Sequence, residues 1–247
     1  MVHHKRVLLK ISGEALGETS SGSPFAAEFL EDLAQVLLKA QRAGQELAIV
    51  VGGGNFFHGA RNVLSHQLER SRADGLGMLA TAINGLALQG FIQKAGGEAL
   101  LQSALPIPGL LEGFHLEGAC QALSSGKIVI FVGGLGCPFF STDTAAALRA
   151  LEIKAEVFLK ASNVAGVYTA DPKLDPQAQL YSAVSFEEAL RKHLKVMDQT
   201  AMALCREHNL PVVVFAIKPL ENLSAVLRGG ALGTRITHNK GNALAGS

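Results

Sequence analysis

The stretch AIVVGGGNFFHGA, residues 48–60, runs an apolar segment straight into three consecutive glycines and an asparagine. A continuous apolar run fits a strand covered on both faces, and the glycines then leave the backbone bare at its carboxyl end. Five more such runs recur along the chain: RVLL from Arg6, EALLQS from Glu98, KIVIFV from Lys127, EVFLK from Glu156 and PVVVFAI from Pro211. Between RVLL and residue 48, Phe29, Leu30, Leu33, Val36, Leu37 and Ala40 follow helical spacing, and Gly44 suits the position just past a helix end. That is a βαβ unit. Further helices are expected over 76–93, over 144–151 behind the possible caps Thr142 and Asp143, and from Ser185, whose spacing to Glu188 matches a capping box. Strands alternating with helices predict a three-layer αβα sandwich around a largely parallel sheet.

Composition narrows the function. The 247 residues, 48% hydrophobic, suit one large α/β domain or two small ones, and with no long linker or repeat we read residues 1–247 as one unit. Twenty-two Lys and Arg against 21 Asp and Glu leave a formal charge of +1, without the basic excess of a general nucleic-acid binder. Cys120, Cys137 and Cys205 are widely spaced and form no CxxC pair, which argues against a disulfide framework or zinc ribbon and for a reducing cytoplasm. No window reads as a membrane span, and the small, polar tail from His238 is set aside as a chain end. Residues 169–183, with two Asp-Pro pairs, read as an extended loop.

In an open parallel sheet, ligands sit off the carboxyl ends of the strands. Those ends carry KISG (10–13), GGGN (52–55), GGLGCPFFSTD (133–143) and KASNVAGVYTADP (160–172). Bare amides and lysines together suit polyphosphate. A turn is the ordinary explanation of any one such glycine loop; four at one edge point to a ligand. No G-x-x-x-x-G-K-[ST] is present, and GLGMLA at Gly75 has no strand before it, so it is a chance match to the dinucleotide fingerprint. There is no G-x-S-x-G elbow and no H-E-x-x-H, and His3-His4 reads as a solvated terminus.

The segments LLKISGEAL, VVGGGNFFHGA, ADGLGMLATAINGLALQ, PFFSTDTAAALRALEIKAEVFLKASNVAGVYTADP and LKVMDQTAMALCREHNLPVVVF resemble bacterial uridylate (UMP) kinases of the amino-acid kinase fold, in order from about residue 6 to 236. The resemblance implies transfer of the γ-phosphoryl of MgATP to UMP, with UMP held mainly by residues 1–150 and ATP mainly by 151–240. It also implies a homohexamer, with GTP as a possible activator and UTP as a possible inhibitor. Lys10, Ile11, Ser12, Gly13, Gly54 and His58 would meet the ATP phosphates, and Ser162, Asn163, Tyr168 and Asp171 would frame adenine and its ribose. Gly53, Asp74, Leu135, Gly136, Cys137, Pro138, Phe139, Phe140, Ser141 and Thr142 would hold UMP, with Asp74 at the ribose. Lys10 and Lys160 would be the transition-state cations, and Asp198 the carboxylate orienting them. Mg²⁺ would ride on the nucleotide phosphates with no side-chain ligand assigned.

Three positions depart from the family pattern. His58 replaces the usual arginine, exchanging a permanent forked charge for a partial one and putting UMP affinity at issue, with Arg72 as an alternative cation. Cys137 stands for asparagine beside the uracil loop, and Ala165 for aspartate. Several residues also have structural readings: Asp74 and Asp143 as helix caps, Tyr168, Phe139 and Phe140 as core. Two rival functions stay open, a kinase for carbamate or an acyl carboxylate and a non-catalytic nucleotide-binding regulator or storage shell.

Overall fold

The computed structural model describes residues 4–18, 22–57, 67–172, 174–194, 196–238 and 243–244. At its centre β1 (Arg6–Ile11) and β6 (Val157–Ser162) run parallel and in register, with Lys10 opposite Lys160. Successive side chains of a strand point to opposite faces. Val7, Leu9 and Ile11 therefore join Val157, Leu159 and Ala161 in one apolar layer, and Leu8 and Phe158 enter the other. Both faces are covered, which is why the strands read as unbroken apolar runs. Lys10 and Lys160 interrupt the pattern on the Leu8 and Phe158 face, next to the carboxyl ends.

The Leu9 layer is filled by α1 (Gly13–Leu16), α2 (Ala27–Arg42), α3 (Arg70–Lys94) and α8 (Leu220–Leu227), through residues such as Leu16, Leu33, Leu88 and Leu223. The Leu8 layer is filled by α4 (Leu116–Ser124), α5 (Thr142–Glu152), α6 (Phe186–Arg191) and α7 (Gln199–Glu207), through Leu123, Ala147, Phe186 and Met202. Burying each leucine, phenylalanine or methionine among them contributes roughly 1.5–3 kcal/mol.

All six expected strands form: β1, β2 (Glu46–Val51), β3 (Ala99–Ser103), β5 (Ile128–Val132), β6 and β8 (Val212–Ala216). Four more join them: β4 (Glu112–Gly113), β7 (Tyr181–Ser185), β9 (Thr234–Thr237) and β10 (Ala243–Leu244). The sheet order is β10-β7-β9-β8-β6-β1-β2-β5-β3-β4, parallel throughout except β8 with β9 and β10 with β7. The added strands are short or mix polar with apolar residues, and so carry no continuous run. The loop read over 169–183 gives way to β7 at Tyr181.

Other sequence expectations need correction. Helix α3 starts at Arg70, well before residue 76, because its charged first turns hide the amphipathic signal. It is also long and apolar enough to cross a membrane by length and composition, contrary to the sequence reading. In the fold it lies against α2, β3 and β5. The cap of α5 is neither Thr142 nor Asp143 but Ser141, whose hydroxyl accepts from the Asp143 and Thr144 amides. Ser185 does cap α6 by accepting from the Glu188 amide, and the Glu188 carboxylate pairs with Arg191 and Lys192.

Candidate active site

The two lysines that break the apolar pattern meet a single carboxylate. Helix α5 packs across β1, β2 and β6, and its first turn lowers Asp143 between them. Lys10 Nζ lies 3.0 Å from Asp143 Oδ1, an ion pair in distance but without hydrogen-bond alignment, and Lys160 Nζ donates to Oδ2. All three side chains are only 12–14% exposed. Burial pushes the Asp143 carboxyl up, yet the two ammonium groups together outweigh it and hold the group below the ordinary aspartate value. Burial acts on Lys160 in the other direction, depressing its ammonium below an ordinary lysine; Asp143 opposes that shift and Lys10 adds to it. Two cations thus share one anion at the sheet edge, with the Asp198 carboxylate acting on Lys160 as a weaker countercharge.

Asp198 stands one hydrogen bond further back. It caps α7 by accepting from the Ala201 amide at 3.0 Å, and accepts from Thr144 Oγ1 at 2.8 Å and from Ser141 Oγ. The carboxylate touching both lysines is thus Asp143, which the sequence offered as a cap, and Asp198 fixes the turn that carries it. Both the Asp143 and the Asp198 carboxylate, after burial itself, raise the thiol of buried Cys205 to about 12.

The glycine loops beside the lysines are bare partly because they press on each other. A Cβ on Gly13 would stand 2.4 Å from the Gly54 nitrogen and 2.6 Å from the Gly52 oxygen, and one on Gly53 would stand 2.7 Å from the Gly77 oxygen of α3. Main chain packs on main chain where KISG meets GGGN. Any side chain here would part β1 from the β2 loop.

A cavity of about 300 Å³ opens between this loop, α3 and the loop after β5. Of the residues expected around UMP, Gly53, Asp74, Leu135, Phe140, Ser141 and Thr142 line it, as does Gly54. Gly136, Cys137, Pro138 and Phe139 belong to the same loop but do not line the cavity. Phe139 is 69% exposed with φ 73°, and its amide donates to Asp74 Oδ2 at 2.7 Å. Asp74 sits within α3, so it is no cap; Arg70 Nε reaches both of its oxygens at 2.9 Å. Sequence reasoning missed Thr81 and Gly134 on the wall, and buried Asn84 behind it.

A second cavity, about 350 Å³, is lined by Tyr168 and Asp171 with Val164, Lys192, His193 and Leu194. The last three precede α7 in the chain and carried no motif. Ser162 and Asn163 are not part of it: Ser162 Oγ accepts from the Val164 amide, and Asn163 Nδ2 donates to Glu14 at 3.0 Å on the wall of a separate hollow. Ser12 precedes α1, and Ile11 is fully buried in the core. His58 lies outside the described residues.

A mostly parallel αβα sandwich carrying two lysines and glycine loops at one edge is the layout of a phosphoryl-transfer fold. The model of the amino acid kinase family matches residues 5–216, and the chain belongs to that family. Within it, the chain is 49% identical over 237 residues to the uridylate kinase of Magnetococcus marinus, covering 96% of this chain and 97% of that protein. Crystal structures of UMP kinases from Bacillus anthracis and Ureaplasma parvum superpose with TM-scores of 0.93 and 0.88 at 34% and 35% identity. The matches cover 99% and 96% of this chain and 100% of each of theirs. Uridylate kinase from Archaeoglobus fulgidus is more distant, with a TM-score of 0.69 at 26% identity over 94% of this chain and 99% of that one.

Proposed function

We propose that this protein is a UMP kinase, a nucleoside monophosphate kinase that converts UMP and ATP to UDP and ADP. The observation that carries the reading is the Lys10–Asp143–Lys160 cluster, which stands beside glycine loops that line a cavity large enough for a small ligand. A UMP phosphate oxygen attacks the γ-phosphorus of ATP; that P–O bond forms as the bond to the β,γ-bridging oxygen breaks, and ADP leaves with the electron pair. The attacking phosphate, with a second pKa of about 6, is already mostly dianionic at neutral pH, so no general base is needed. What remains for the protein is alignment and neutralisation of charge on the oxygens in flight, the work of Lys10, Lys160 and the loop amides.

In this reading the 300 Å³ cavity takes UMP, with Asp74 at the ribose hydroxyls, and Tyr168 and Asp171 border the adenosine end of ATP. Residues 1–150 supply most of the acceptor side and 151–240 most of the donor side of one unit. Mg²⁺ usually keeps several waters and binds through substrate phosphates. The donor set suits a metal delivered that way: both Asp143 oxygens already face lysines, and among the described residues no group of three or more His, Cys, Asp or Glu side chains gathers to hold an ion. Bound with ATP, the metal would add charge neutralisation on the phosphates. The reading further assigns the enzyme to the cytoplasm and to pyrimidine nucleotide biosynthesis, as a homohexamer. Exposed Leu76, Leu79 and Ile83 on one face of α3 support burial against another copy.

Release of ADP from MgATP with UMP, CMP, dUMP or no acceptor tests the reading. Turnover that requires UMP is expected; hydrolysis indifferent to the acceptor would refute it.

A further inference from the structure

Helix α3 turns positions 74, 77, 81 and 84 toward the sheet edge, spaced three or four apart as one helical stripe requires. Asp74, Gly77 and Thr81 border the acceptor cavity. Thr81 and Asn84 are also polar residues almost wholly removed from solvent, 2% and 0% exposed, and each reaches a different glycine loop. Thr81 Oγ1 accepts from the Gly133 amide at 2.7 Å while donating to the Met78 carbonyl at 2.7 Å. Asn84 Nδ2 donates to the Gly52 carbonyl at 2.6 Å and to Asn55 Oδ1 at 2.7 Å, and its own oxygen accepts from Asn55 Nδ2 at 2.9 Å. Both hydrogens of the Asn84 amide are used within the GGGN loop.

We infer that Thr81 and Asn84 are positioning residues that fix the two glycine loops on one rigid helix, Thr81 setting the acceptor wall through Gly133 and Asn84 setting the transfer edge through Gly52 and Asn55. The inference rests on the UMP kinase reading and adds a division of labour to it. Gly133 is held at φ 76°, a backbone state glycine favours, and Gly134 and Leu135 beyond it form the cavity wall. Loss of the Thr81 bond frees that wall without touching the lysines. Asn55 in turn abuts Gly13, where a Cβ would stand 2.7 Å from Asn55 Oδ1, so Asn84 governs how KISG seats on GGGN beside Lys10. Groups that align reacting atoms are unforgiving: a displacement of about 1 Å costs on the order of 10²-fold in rate.

Steady-state kinetics of Thr81→Val, Thr81→Ser and Asn84→Ala, each checked by thermal melting, with Lys160→Ala alongside, tests this. Thr81→Val is expected to raise the UMP KM about tenfold with kcat and the ATP KM within about twofold, and Thr81→Ser to return the UMP KM to within about twofold of wild type. Asn84→Ala is expected to lower kcat about 10²-fold, with a smaller rise in the UMP KM because Gly53 and Gly54 of the same loop also line the cavity. Folded Thr81→Val with an unchanged UMP KM, or the same parameter carrying the larger loss in both variants, would overturn the inference. Should Asn84→Ala fail to fold, the Thr81 pair decides alone. Full activity in Lys160→Ala would instead sink the underlying site reading, so the two failures are distinguishable.

Discussion

The two cavities off the sheet edge are built by different means. The acceptor cavity is walled by a 25-residue helix and by glycine loops, the one after β5 locked through Thr81 on Gly133, while Asn84 on Gly52 seats the neighbouring loop at the transfer edge. The donor cavity is walled by two stretches without regular helix or strand, around Tyr168 to Pro172 and Lys192 to Leu194, and several of its residues are exposed. The lysine pair lines neither cavity, and its spacing is set by strand register. Under the proposed function, a helix and strand register would govern transfer and acceptor geometry, and loops without regular structure would receive the donor base. Substitutions in the centre and on the acceptor side should change chemistry or selectivity sharply, and those on the donor side should change affinity mildly.

The largest effect is expected at the centre. Lys160→Ala should lower kcat by about 10³-fold or more, in the range lost when a charge-stabilising group is removed from a preorganised site, with modest change in either KM. Rapid-quench measurement of UDP formation checks it.

Asp143→Asn should cost about 10²-fold in kcat and shift the pH profile. In the intact site burial already lowers Lys160, and Asp143 opposes that shift; without the carboxylate the Lys160 ammonium loses its proton at still lower pH, so the alkaline limb of kcat should move toward neutrality. The same aspartate makes a prediction in acid. Its folded value lies below the unfolded 3.8, so its contribution to stability is complete above that pH and is lost as pH falls through the folded value. Acid unfolding of Asp143→Asn below about pH 4 should therefore be shallower than that of wild type.

Asp198→Ala removes a helix cap and the partner of two hydroxyls, and should lower stability by about 1–3 kcal/mol in denaturant titration, with kcat falling less than in Asp143→Asn. Smaller still, Tyr168→Phe on the donor side should change the ATP KM by no more than about threefold and leave the UMP KM unaltered. An equal loss on both sides would erase the contrast between the cavities.

Much of this was legible in the sequence, and the reasons differ by region. The six apolar runs became strands because two-sided burial leaves no room for polar alternation, and the lysines stood out by their place at the strand carboxyl ends and by resemblance. Asp74 and the loop through Leu135, Phe140, Ser141 and Thr142 were found by resemblance, and the fold gathers them on one cavity. Asp143 was undervalued because a carboxylate in the first turn of a helix looks like a cap; only the register of Lys10 with Lys160 shows that it faces two cations. Thr81 and Asn84 were missed although polar residues three apart in an apolar helix are a readable signal of buried partners. Lys192, His193 and Leu194 had no signal, since their place beside Tyr168 arises from chain packing far apart in sequence. The strands β7 and β9 were hidden by mixed polarity.

The central claim is that both nucleotides meet at one lysine–aspartate cluster. Calorimetric titration with a bisubstrate analogue, adenosine and uridine joined through a pentaphosphate, tests it most directly. The account predicts one analogue bound per chain, displacing ATP and UMP together, with affinity falling at least tenfold in Lys160→Ala. Two analogues per chain, or a bound analogue that leaves UMP binding intact, would contradict it.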